Sequence, residues 1–381
     1  MAYAPKTGRL KDMLSYNFGD MQTRRGVLGV TGASICAMFV TMSVAPDAQA
    51  YDFEVRDDTT LSLYVEWAPS LKSVTNGAGE SEFQYADEGS IVGIAGEHQV
   101  SEEFTVYGKA DFEFLSDDSD PSFSFDEGWV GARGVSWGSV QAGGQESPYV
   151  GFIADNVNVA EIAEISAGNL PPEDNTVVYK SPSFNGFSVA TMARILGDGD
   201  PDAADNQDSA DFDVGGVVSY DHEYFGVAAG YQTVNTRTQT GTAPTPVFGT
   251  TPGGTQVQIG TTGGSTELTD GETYGITGDV SYGPAIAAVK VSETGGDSFT
   301  DTTRMAATGI FQYGQYISAG AGKVYSSVQL VDPDAGNDRT EVTVGVDFKP
   351  MDNLKLYTEA GWFDQQNDAG NVVAAGLILD F

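Results

Sequence analysis

The chain has 381 residues, 40% of them hydrophobic, and carries 54 Asp and Glu against 18 Lys and Arg, a formal charge of −36. Such a surface repels phosphate backbones, which sets nucleic-acid binding aside. One cysteine, Cys36, and two histidines, His98 and His222, leave almost no material for disulfides, imidazole metal sites or a catalytic triad. Beyond residue 50 no apolar run approaches the ~18 residues of a membrane-spanning helix, so a chain of this kind that crosses a bilayer does so with strands.

In chain order, an export segment comes first. Arg24 and Arg25 form a basic region, residues 27–44 an apolar stretch, and Ala48-Gln49-Ala50 a small-residue cleavage site. Residues 1–50 therefore read as an N-terminal extension and signal peptide cut after Ala50, and residues 51–381 as the mature protein. Thr23 to Leu28 also approximates a twin-arginine signal, but barrel cargo travels unfolded, which favours general secretion. The first twenty residues fit either a long basic region or an upstream start. Cys36 leaves with this segment.

Short alternating segments follow. Residues 59–67 put Leu61, Leu63, Val65 and Trp67 on one face and Thr60, Ser62, Tyr64 and Glu66 on the other. Residues 104–114 set Phe104, Val106, Phe112 and Phe114 against Tyr107, Lys109, Asp111 and Glu113. The segment 212–220 has Phe212 and Tyr220 at the ends of its apolar face, and 274–282 has Tyr274 and Tyr282, with Asp279 on the opposite face. Residues 339–348 oppose Val342, Val344, Val346 and Phe348 to Glu341, Thr343 and Asp347. In 354–362, Leu354, Leu356, Ala360 and Trp362 oppose Lys355, Tyr357 and Glu359. Soluble β-sandwiches alternate too. Aromatics bracketing an apolar band are what the two interfaces of a membrane favour, and acids on the other face suit a water-filled lumen but not lipid.

The connections alternate between tight turns (135–138, 182–186, 221–226, 283–284, 312–315, 349–353) and long loops (145–175, 197–211, 233–272, 293–301, 331–338). Short turns on one side and long loops on the other describe an all-β transmembrane antiparallel β-barrel. Counting to the C-terminus gives about sixteen strands, an even number. Leu61, Val65, Phe112, Tyr220, Tyr282, Val344 and Leu356 are expected to face lipid or a neighbouring subunit. Residues 241–265, rich in Thr, Gly and Pro with no apolar period, read as a mobile external loop. Asp198, Asp200 and Asp202, with Asp205, Asp208 and Asp211, form a dense row of oxygens. It lacks the glutamate and glycine positions of a helix-loop-helix calcium site, so a solvated acidic loop is preferred over a calcium site, and no cofactor is expected.

Several stretches resemble the general-porin family of the Gram-negative outer membrane. Trp129 to Gly134 followed by Trp137 to Gln145 is similar to that family's fourth and fifth strands. Asn175-Thr176-Val177-Val178-Tyr179-Lys180-Ser181-Pro182-Ser183-Phe184-Asn185-Gly186-Phe187-Ser188-Val189 is similar to its sixth strand, turn and seventh strand. Phe381 matches the terminal aromatic by which such barrels are recognised for insertion. The resemblance implies a homotrimeric, water-filled channel for passive diffusion, with outer-membrane lipids and the barrel-assembly machinery as partners and no enzymatic activity. It also implies that residues 145–175 fold inward as the constriction loop, placing Asp155, Glu161 and Glu164 at the narrowest point, with Glu173 and Asp174 near it. Alternatively, residues 159–165 form a short amphipathic helix whose acids only face water. Arginines that many members set opposite this loop are replaced here by Ile91, Gly144 and Val178. The remaining basic candidates are Lys109, Lys180, Arg194 and Lys355, facing an acidic lining of Glu66, Asp111, Glu113, Asp279, Asp347 and Glu359. Cation preference follows. A non-porin barrel, an adhesin or structural surface protein, is the competing reading.

Overall fold

The computed structural model describes residues 51–381 except 57, 117–122, 169–173, 197–210, 235, 241–244, 251–255, 263–264, 270, 297–298, 315–320 and 366–367. Cleavage at Ala50, Glu173 and the acidic row Asp198, Asp200 and Asp202 lie outside the described residues.

Alternation at period two, sustained from Thr59 to Asp380, produces one antiparallel sheet closed on itself. Strand β1 (Thr59–Trp67, continuing as Pro69–Thr75) pairs with β2 (Ser81–Asp87, continuing as Ser90–Ser101). Then come β3 (Phe104–Phe114), β4 (Phe123–Gly134), β5 (Gly138–Gly144), β6 (Thr176–Lys180), β7 (Phe187–Leu196), β8 (Asp211–Asp221) and β9 (Phe225–Thr233). The wall continues through β10 (Glu272–Tyr282), β11 (Ala285–Gly296), β12 (Phe299–Gln312), β13 (Ala321–Pro333), β14 (Arg339–Met351), β15 (Leu354–Trp362) and β16 (Val372–Asp380). Each strand pairs with the next, and β16 returns to β1 through Val372↔Val74 and Glu66↔Asp380. That closure gives sixteen strands and no free edge. Past Phe381 the outer edge of β1 is covered by an N-terminal strand, Tyr51–Arg56, paired with Thr59 to Leu63.

The outer face is apolar: Val214, Val218, Ile276, Val280, Val289, Val344 and Val346 are all exposed, with Phe212, Tyr274 and Tyr282 among the rings around them. Leu61, Val65, Phe112, Tyr220 and Leu356 lie on this face by the same alternation. Among the described residues no helix is long and apolar enough to cross a membrane.

Three connections differ from expectation. β11 runs to Gly296 and β12 begins at Phe299, so most of 293–301 is ladder, with Glu293↔Thr303 paired. The turn placed at 312–315 is longer, since β12 ends at Gln312 and β13 starts at Ala321. In the 233–272 connection, Thr236–Thr240 pairs with Ser265–Thr269 and Thr245–Thr250 with Gln256–Thr262. Thr, Val and Ile favour extended backbone there even without an apolar period.

Inside the barrel a ring-over-glycine device recurs. Tyr325 on β13 faces Gly345 on β14, which faces Glu359 on β15. Because Gly345 has no side chain, the Tyr325 ring lies across it and its hydroxyl donates to Glu359 two strands away. Tyr64, Gly93 and Asp111 repeat the arrangement on β1 to β3. A Cβ at residue 345 would overlap the ring. Gly345→Ala is therefore expected to cost about 1–3 kcal/mol by overpacking, read as a lower unfolding midpoint in detergent; an unchanged midpoint would count against this packing.

Candidate functional site: the constriction loop and its wall

The described residues of the segment between β5 and β6, 145–168 and 174–175, fold into the barrel. A π-helical turn (Val150–Ala154) and a 3-10 turn (Asp155–Val157) open the segment, and the chain then continues irregularly, bending at 161–163. Residues 159–165 are not a helix. Irregular backbone leaves its N–H and C=O groups to be satisfied by the wall, and that requirement organises the site.

Apolar side chains seat the loop. Ile153, Val157, Ile162 and Ala163 are 0% exposed, packed against Val217 and Ala228 at one end and Ile286, Ile310, Tyr325 and Phe363 at the other. Each fully buried Ile or Val contributes about 1.5–3 kcal/mol. These wall residues occupy inward positions that a bare aqueous lumen would leave polar.

Polar latches fix the register. Both Glu359 oxygens accept loop amides: Glu161 N–H at 2.7 Å, Ile162 at 2.8 Å and Ala163 at 3.0 Å. Glu341 accepts the Ser166 N–H at 2.7 Å and its hydroxyl at 2.9 Å, while Arg339 Nε holds the same carboxylate at 2.9 Å. Gln329 Nε2 donates to Ser166 O at 2.8 Å. Asn156 Nδ2 donates to Thr277 Oγ1 at 2.6 Å, and Thr343 caps the Ala163 carbonyl.

Of the expected lining acids, Glu359 is corrected in kind. It points inward, but at 1% exposure beneath the loop it binds backbone and does not meet water. Glu66, Asp111, Asp279 and Asp347 also face inward and are buried; Glu113 is partly exposed. Asp155, Glu161 and Glu164 lie on the loop, all part-exposed. Glu161 Oε1 receives Lys355 Nζ at 2.8 Å. Burial alone would raise the Glu161 carboxyl, but the Lys355 and Lys323 ammoniums outweigh it and hold it below its ordinary value.

The expected basic residues are inward but engaged. Lys109 bridges Asp111 at 2.8 Å and Glu127 at 2.6 Å, and Trp129 Nε1 donates to Glu127 at 3.0 Å. Lys180 lies in the field of Glu146 and Glu127. Arg194 is held by Asp174 at 2.8 Å and Asp213 at 3.2 Å, so Asp174 anchors the end of the loop on β7. Ile91 and Val178 are inward and buried, 3% and 1% exposed.

Sequence reading missed Lys72, Lys290, Arg304, Lys323 and Arg339 as interior bases. Alternation through residues 286–291 and 302–311 was the signal for Lys290 and Arg304. Lys72 meets Glu88 at 2.6 Å and Lys323 meets Asp347 at 3.5 Å. The balance still stays acidic: among the described residues the buried charged side chains are ten carboxylates against four bases. Among the described residues no group of three or more His, Cys, Asp or Glu could hold a metal ion.

A closed sixteen-stranded barrel with its longest internal segment folded against one inner wall is the architecture of a membrane channel. The model of the Gram-negative porin family matches residues 33–368, and the chain belongs to that family of outer-membrane channels. A monosaccharide porin from a Halomonas species is 25% identical over 380 residues, covering 88% of this chain and 96% of the relative. Among solved structures, OmpT of Vibrio cholerae in its trimer form has a TM-score of 0.60 at 15% identity, covering 85% of this chain and all of that one. The anion-selective porin from Comamonas acidovorans also has a TM-score of 0.60, at 16% identity, with the same coverage.

Proposed function

We propose that the protein is a homotrimeric porin for passive diffusion of ions and small hydrophilic solutes, with a preference for cations, and that it catalyses no reaction. The observation that carries the reading is the acidic balance of the interior, ten buried carboxylates against four buried bases among the described residues, with Asp155, Glu161 and Glu164 on the inward loop and uncharged Ile91 and Val178 on the inner face of the wall. A permeating ion passes within a few ångströms of these groups, where Coulomb effects are strongest. The trimeric relative and the monosaccharide porin support the assembly and extend the solutes to neutral sugars. Liposome swelling by uncharged monosaccharides, together with channel steps in a planar bilayer, tests the pore. A purified protein that gives neither would leave the barrel reading as an adhesin or surface protein.

Export follows the same proposal: residues 1–50 are removed after Ala50, and Phe381 is the signal read by the assembly machinery. Phe381 sits at the barrel seam, its N–H donating to Val65 O at 2.9 Å, with an exposed side chain. It lines no pore. Deleting it is expected to lower the amount inserted in the outer membrane while leaving ion preference unchanged. Normal accumulation of the shortened chain would contradict that role.

A further inference from the structure

Behind the constriction loop, on the inner face of β11 and β12, lies a positive cluster. Ser292 pairs with Arg304 and Lys290 with Ala306, so Lys290 and Arg304 are diagonal neighbours on one face, near enough for their charges to repel. They are 2% and 8% exposed. Arg304 Nη1 donates to Thr294 Oγ1 at 3.3 Å, but its buried Nε has no hydrogen-bond partner among the described residues. Glu341, one carboxylate whose field reaches both, has its oxygens taken by Ser166, Gln329 and Arg339. Asp155 lies in the field of Lys290 from the loop.

The rest of the cluster is made of donors. Ser292, Thr294 and Thr273 are buried, and Thr273 donates to the Tyr149 hydroxyl at 3.3 Å. Gly168, at φ +96°, brings the loop backbone down on the guanidinium, where a Cβ would stand 3.0 Å from Nη1. A buried guanidinium edge without an acceptor, beside a buried ammonium, is strongly unfavourable unless a counter-charge arrives. Guanidinium, ammonium and hydroxyls together suit an oxyanion, because the fork offers parallel N–H groups to two oxygens.

We propose that Arg304, Lys290 and Thr294 form an internal site for a small oxyanion of the phosphate–sulfate class, which ties the constriction loop to β11 and β12. The existence of the site does not depend on the ion preference of the channel.

Sodium sulfate is the probe, added to the purified full-length protein in detergent with chloride replaced at constant ionic strength. The unfolding midpoint is expected to climb with sulfate, rising with the logarithm of its concentration once that exceeds the dissociation constant. Lys290→Gln and Arg304→Gln should each abolish that climb, whereas Arg133→Gln, which removes a distant base paired with Glu97, should keep it. Should Arg304→Gln fail to fold, Lys290→Gln decides. A flat wild-type response, an equal climb with chloride, or an undiminished climb in Lys290→Gln overturns the site. Loss of conductance in a bilayer would instead bear on the porin reading.

Discussion

Glu359→Ala is expected to release the middle of the constriction loop, giving a larger and noisier single-channel conductance and a less stable protein. Glu359 accepts three consecutive loop amides and the Tyr325 hydroxyl. Removing it leaves several buried donors unsatisfied, each worth about 1–3 kcal/mol and not fully additive. The total loss should be about 3–5 kcal/mol, the range for breaking a buried charged network from one side. The barrel should survive, because the ladder uses the backbone of residue 359, paired with Gly345 and Ala374, and not its side chain. Glu341→Ala should act in the same direction and more weakly, since only Ser166 supplies loop groups there and Gln329 still holds the Ser166 carbonyl. Wild-type conductance and midpoint in Glu359→Ala would mean that apolar packing alone seats the loop.

Glu161→Gln should lower the cation preference more than Glu164→Gln does. The first change removes a negative charge and also leaves the Lys355 ammonium, now at 2.8 Å from it, without that partner. The net change is one unit, as at residue 164, but at residue 161 it leaves an uncompensated ammonium that repels cations. The neighbouring ammoniums hold the Glu161 carboxyl below its ordinary value of 4.5. Its folded value lies below the unfolded one, so its contribution is fully present above about 4.5 and fades only as pH falls through the lower folded value. Cation preference at pH 5 should accordingly match that at pH 7. Combining Asp155→Asn, Glu161→Gln and Glu164→Gln should reduce the preference furthest while leaving the barrel folded; an unchanged preference would assign these acids to solvation only.

The barrel was legible because its signal is local and repeated. Tyr274 to Tyr282 shows its two faces in one line of sequence, and the structure reproduces that alternation residue by residue. The inward loop came from resemblance and not from residue pattern, since Ile162 and Ile165 look like half of an amphipathic helix. They lie in irregular chain because Glu359 and Glu341, nearly two hundred residues later, satisfy the backbone that a helix would have satisfied itself. The same distance hid the fate of Glu359. Alternation gives the face of a strand, but whether that face meets water or a loop is a tertiary fact. Gly345 and Gly93 were silent as well, for a glycine reveals the ring lying over it only once the register is known.

The most direct test of the account is the reversal potential of the wild-type channel in a planar bilayer under a potassium chloride gradient. The acidic lining predicts a potential displaced toward the potassium equilibrium value, with the displacement shrinking as salt rises and screening shortens toward ~3 Å at 1 M. A potential displaced toward the chloride value would contradict it.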